Sequence, residues 1–206
     1  MQAKGLSAAM KHFALNDQET NRNGVCIFSN EQAIREIYLK AFEGGFTKGG
    51  ATSTTTSYSR VGLTYVGHNA ELLRNVLRGE WGFTGATISD CAMHPYQHTL
   101  DGLVGGTDFW CIVGEKLRAP ELEEYIETND DGYLYGLLRE SQHGFYYMLA
   151  NSAVINGMSG DMVYQTVIPW WQIALFALDG VLAVATVALA VAYGMTARGN
   201  KKRNEQ

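Results

Sequence analysis

The residues with the clearest chemical potential stand at Gly82 to Asp90, read GFTGATISD, and upstream at Lys11-His12-Phe13. Gly82 and Gly85 bracket a turn, and Ala86, Thr87 and Ile88 make a short apolar, partly β-branched run that predicts a buried strand. Asp90 falls where that strand ends. In a parallel barrel such positions face the active site, so a carboxylate there is a candidate nucleophile or base. The same position also suits an Asp that caps the following helix. Ala8 to Phe13 predicts another short strand. Lys11 and His12 point to opposite faces while the strand runs, but at its end the backbone can turn and bring both to one site. The other reading is a surface lysine beside a structural histidine. His94 and His98, four apart, suit a metal if both lie on one helix. No third ligand is evident, and no metal or other cofactor is expected.

These residues need elements to hold them. Ser29 with Gln32 fits a capping box, and Ala33, Ile34, Ile37, Tyr38, Ala41 and Phe42 recur at helical spacing. An amphipathic helix is predicted there, ended by Gly44-Gly45. Gly49 to Tyr58 is rich in Thr and Ser, which suits either a flexible linker or a strand. Asn69 is a plausible N-cap for a helix carrying Leu72, Leu73, Val76 and Leu77. Trp81 and Phe83 should close that helix onto the core. Pro120 to Thr128 has Pro at a helix start and acidic early turns. Asp130-Asp131-Gly132 reads as a turn. Tyr133 to Asn156 reads as a long helix, and Ser152 to Asp161 as a small-residue linker.

The length, 206 residues, allows one domain with an appendage, and 46% hydrophobic residues suffice for a core. A formal charge of −5 argues against a nucleic-acid surface, so no nucleic-acid partner is expected. The cysteines, Cys26, Cys91 and Cys111, have no metal spacing, and their odd number leaves at least one unpaired within a monomer. They read as buried small hydrophobes. Met1 to Met10 carries no secretory signal.

Several blocks occur together: MKHFALNDQETNR (Met10 to Arg22), IREIYLKAFE (Ile34 to Glu43), TSYSRVG around Ser57 and Tyr58, LLRNVLRGEWGFTG (Leu72 to Gly85) and ISD (Ile88 to Asp90). In this order the chain resembles glycoside hydrolase family 3, the β-glucosidase-like enzymes. The resemblance covers about the first 118 residues, and Leu137 to Asn156 more loosely. It implies a retaining site with Asp90 as nucleophile, Lys11 and His12 hydrogen-bonded to sugar hydroxyls, and Tyr58 beside the nucleophile to orient it. On the residues alone, Tyr58 reads as a half-buried strand tyrosine. Cys91 departs from the tryptophan that many members carry after the Asp. Gly105 to Phe109 resembles the family's Gly-x-Asp strand, with Asp108 structural rather than catalytic. The implied fold class is α/β, the second half of a TIM-type β/α barrel, over residues 1–118. Closing helices and a linker are expected over 119–160.

Ile173 to Tyr193 is apolar apart from Asp179 and long enough to cross a hydrocarbon core. Strongly apolar residues there favour insertion by roughly 0.3–0.6 kcal/mol each, and a central Asp costs about 2.5–3.5 kcal/mol. Asp179 is off centre, so insertion wins. A transmembrane helix is expected over 168–195, with Trp170 and Trp171 in one interfacial belt. The basic tail over 196–206, with Arg198, Lys201, Lys202 and Arg203, is expected on the cytoplasmic side. The implied location is the cell membrane, single-pass, with the globular part outside.

A retaining glycosidase needs a nucleophile and an acid/base. The resemblance supplies the first and not the second, which in members with the barrel last comes from a preceding domain. The expected protein is therefore an O-glycosyl hydrolase portion, nearly inactive alone. Its expected partners are a β-glycoside or oligosaccharide substrate, the membrane and a missing upstream half. The alternative is a non-catalytic, membrane-anchored remnant that binds sugar or nothing.

Overall fold

The strands are β1 (Ala9–Phe13), β2 (Cys26–Ile27), β3 (Ser53–Thr56), β4 (Arg60–Val61), β5 (Thr64–Tyr65) and β6 (Ala86–Ile88). The structure, a computed structural model, describes residues 1–111, 120–129, 132–155 and 165–204, with the side chains of 120–121 and 198–204 left aside. It divides into two units, Met1–Gly160 and Asp161–Gln206.

In the first unit β1, β3 and β6 form a sheet in that order, all parallel. Ala9 lies opposite Ser53 and Thr54 opposite Thr87. Phe109 extends the sheet by a parallel bridge to Ile88. Parallel neighbours require crossovers. These are a helical run over 31–47 (α1), α2 (Glu71–Glu80) and α3 (Thr99–Gly105). The α/β class thus holds as a repeated strand–helix unit with every strand end on one edge.

Phe13 is fully buried where β1 ends. Edge-to-face rings surround it, with Phe42 at 5.3 Å and Phe46 and Trp81 at 6.1 Å. Leu39, Leu72, Leu73, Val76 and Leu77 complete this core. The Thr-rich segment is a strand. Its buried hydroxyls donate to neighbouring carbonyls, Thr54 to Met10 at 2.7 Å and Ser57 to Ala14 at 2.7 Å. Thr54 and Ser57 are thereby satisfied in the interior rather than stranded.

Helix boundaries differ from expectation at both ends of α1, and the helix expected over Tyr133 to Asn156 ends at Ala150. The cap of α1 is Asn30, whose side chain accepts from the Ala33 N–H at 2.8 Å, rather than Ser29. The helix does not stop at Gly44-Gly45 but continues to Thr47. Phe46 belongs to the core cluster and carries the helix one turn further, while Gly45 admits the Met10 side chain. Asn69 does accept from the Leu72 N–H at 3.2 Å. The helix it opens, α2, is wound as a π-helix, closing with Trp81 N–H to Val76 O.

Asp108 ties the sheet to its helices. Its carboxylate accepts from the Thr87 N–H at 2.7 Å and from Arg78 at 2.6 Å, and its carbonyl accepts from Ser141 at 2.8 Å. Ser141 lies on α5 (Tyr133–Ala150), which follows α4 (Pro120–Thr128), and Phe145 meets Phe109 at 4.9 Å. Gly85 has no room for a side chain, because a Cβ there would overlap the Thr52 carbonyl. Asp130 and Asp131 of the expected turn, and residues 156–161 of the expected linker, lie outside the described residues.

The second unit contains α6 (Trp170–Asn204). Its 28 residues Trp170–Ala197 are long and apolar enough to cross a membrane. They rise about 42 Å, against a hydrocarbon core of about 30 Å. Leu175, Phe176, Val184 and Leu189 are all exposed on this helix. Thr186 and Thr196 return their hydroxyls to the Leu182 and Ala192 carbonyls at 2.7 and 2.9 Å.

Candidate active site

The C-terminal edge of the parallel sheet gathers side chains from separate strands and loops. β1 delivers His12 and β6 delivers Asp90, whose Oδ2 lies 3.3 Å from His12 Nε2. The loop after β1 brings Arg22 to 3.9 Å from the same oxygen. The Arg22 guanidinium also sits 4.7 Å over the ring of Tyr58, which follows β3. Lys11 lies exposed on β1 beside them.

The two oxygens of Asp90 have different surroundings. Oδ1 accepts the Cys91 N–H at 2.9 Å, which fixes the carboxylate. Oδ2 is buried and accepts no hydrogen bond among the described residues, the His12 N–H being close but poorly aimed. One oxygen is therefore anchored and the other has lone pairs to spare. Tyr58 is buried, and its hydroxyl donates to the Cys91 carbonyl at 2.8 Å rather than to Asp90. Burial, and then the charge of Asp90, push its phenol far above the ordinary range, so it remains a donor.

Burial lowers the His12 pKa below its ordinary 6.5, outweighing the attraction of Asp90, and Lys11 and Arg22 depress it further. His12 is thus neutral at pH 7, a hydrogen-bond donor or acceptor rather than a cation. In the folded chain its imidazole should titrate below 6.5 by NMR, and Asp90→Asn should lower it again. The folded value is depressed, so this contribution to stability is complete above 6.5 and is lost as pH falls through the folded pKa. A His12 resonance titrating above 6.5 would contradict this balance.

Sequence reasoning missed the residues that build the wall. β2, β4 and β5 form a small second sheet, β2 parallel and β5 antiparallel to β4. It rises from the loops after β1 and β3. Gln97 folds the loop after Asp90. Its carbonyl accepts from the Met93 and His94 N–H groups, and its amide donates to Tyr65 at 3.2 Å and the Asp90 carbonyl at 3.3 Å. His94 and His98 lie outside any helix, so the premise of a helical metal pair is not met. His94 instead stacks on Tyr96 at 5.3 Å and meets the edge of Tyr58 at 5.0 Å. The cysteines are not buried as expected. Cys26 and Cys111 are exposed and Cys91 is half-buried, because all of them sit at strand ends or in the outer sheet. A cavity of about 200 Å³ beside the site is lined by Leu15, Asp17, Arg22 and Tyr38.

Residues 1–100 match the family described as glycosyl hydrolase family 3 N terminal domain. Beta-glucosidase B of Emericella nidulans is 42% identical over 138 residues, 64% of this chain and 16% of its own length. A beta-glucosidase of Rhizobium radiobacter is 37% identical over 134 residues, 62% of this chain and 16% of its own. The solved beta-glucosidase 3B from Thermotoga neapolitana, in complex with glucose, superimposes with a TM-score of 0.65 at 34% identity, over 75% of this chain and 22% of that one. The chain thus spans about a sixth of the length of the curated relatives it matches.

Proposed function

The chain belongs to glycosyl hydrolase family 3, and from that membership we propose that its first unit is the nucleophile-bearing part of a retaining, β-glucosidase-like site. The observation that carries this reading is the Asp90 carboxylate at a parallel strand end, one oxygen held by backbone and the other free between His12 and Arg22. The ionised oxygen attacks the anomeric carbon from the face opposite the leaving group, forming a glycosyl ester. Neutral His12 and cationic Lys11 donate hydrogen bonds to ring hydroxyls. Arg22 stands beside the carboxylate and braces Tyr58. The parallel sheet is the second half of a TIM-type barrel, and its substrate is a β-glycoside. The acid/base carboxyl comes from outside the described residues: Glu19, the carboxylate joined to Asp90 through Arg22, is exposed and engaged by that arginine.

This division of labour has a direct test. An aryl β-glucoside whose leaving group departs unprotonated needs no acid, whereas an alkyl glucoside does. The full chain should react with the first and leave the second intact. Equal rates on both would mean that the chain holds its own acid and would overturn the division.

α6 is proposed to cross a membrane once, with the basic end in the cytoplasm and the first unit outside, which makes the membrane itself a partner. Its exposed apolar side chains and internally bonded threonine hydroxyls support this. Protease added to intact cells should digest residues 1–160 and spare the tail. Protection of the first unit would reverse the orientation.

A further inference from the structure

Two thiols meet at the rim of this site. Past the strand ends, backbone pairing continues: Ser89 N–H to Phe109 O at 2.8 Å, Cys111 N–H to Ser89 Oγ at 3.0 Å and Ala92 N–H to Cys111 O at 2.7 Å. This ladder sets Cys91 and Cys111 side by side on neighbouring segments. Neither is joined in a disulfide; Cys91 is half-buried and Cys111 is exposed. The other cysteine, Cys26, lies in β2 of the outer sheet.

We propose that Cys91 and Cys111 are a modification site for small-molecule disulfides, which convert the pair into an internal disulfide. The Cys91 thiol loses its proton to solvent and attacks one sulfur of the reagent. The reagent's S–S bond breaks, and one half leaves as a thiolate that takes up a proton. The Cys111 thiolate then attacks the Cys91 sulfur, forms the internal bond and expels the second half as a thiol. Two electrons pass from the pair to the reagent. Desolvation of its sulfur, and then the neighbouring Cys91, raise the Cys111 thiol above its ordinary range, so exchange quickens with rising pH.

The position of Cys91 gives the modification a consequence. Its N–H holds Asp90 Oδ1 and its carbonyl receives the Tyr58 hydroxyl, so closing the disulfide re-aims the peptide that orients the carboxylate.

The test is sulfur mapping of the folded full chain after exposure to oxidised glutathione, with alkylation and peptide mass spectrometry. The expected product joins the peptides containing Cys91 and Cys111, and alkylatable cysteines fall from three to one, Cys26. In Cys111→Ser the exchange should stop with glutathione on Cys91. Glutathione on Cys91 and Cys111 separately in the unmutated chain, or bonds from Cys26 to either, would overturn the proposal. The mapping reads sulfur chemistry alone, so its failure leaves the role of Asp90 untouched.

Discussion

Asp90→Asn is expected to lower the reaction of the chain with an activated aryl β-glucoside by a factor on the order of ten thousand, as loss of a nucleophile does elsewhere. The amide is nearly isosteric and keeps an oxygen for the Cys91 N–H, so the fold should survive. What it loses is the second, unanchored oxygen with its charge. The position is rigid, being held at a strand end by Cys91 below and by Gln97 on its carbonyl. Misplacement by about 1 Å can cost roughly a hundredfold, so external formate or azide should restore part of the lost rate only in a variant that opens space, such as Asp90→Gly. Unchanged rates in the Asn variant would assign the nucleophile elsewhere.

Asp108→Ala is expected to be the most damaging single change to stability, costing about 3–5 kcal/mol, the range for breaking a buried ion pair. The side chain is 5% exposed and takes both the Arg78 guanidinium and the Thr87 N–H. Alanine strands both donors between β6, α2 and α5. Thermal or urea unfolding measures the loss. A change below about 1 kcal/mol, the level of exposed pairs, would mean that water replaces the carboxylate freely. Arg35–Glu80 is the internal contrast: both partners are exposed, and its removal should be near neutral.

Much of the sheet edge that carries Asp90 was legible in the sequence because it rests on simple periodicities. The apolar run Ala86–Ile88 predicted a strand, and Ser89 and Asp90 follow it where the side chains turn towards the site. Lys11 and His12 stand near the end of β1, inside the strand. The Thr-rich stretch was ambiguous by composition, since only the carbonyls of β1 decide whether its hydroxyls are satisfied by structure or by water. Arg22 was hidden because a lone arginine in a polar loop has no periodicity, and only the folded loop lays it on Tyr58. The strands β2, β4 and β5 are two residues each, too short for any alternation to register. The π-winding of α2 was equally silent, because a period near 3.6 and one slightly longer place Leu72, Leu73, Val76 and Leu77 on the same face over ten residues. The strand expected at Gly105 to Phe109 proved to be one bridging residue after a short helix, since Gly106, at φ 106°, ends α3 in the left-handed region.

The proposed chemistry turns on Asp90, and the most direct measurement is covalent labelling. A 2-deoxy-2-fluoro β-glucoside with a dinitrophenolate leaving group needs no acid to react, and its fluorine slows hydrolysis of the glycosyl ester enough to trap it. Incubated with the full chain, digested and mapped by mass spectrometry, it is predicted to leave one sugar, on the peptide containing Asp90, and none in Asp90→Asn. A sugar on Asp17, Glu19 or Asp108, or a label that survives in the Asn variant, would contradict the account.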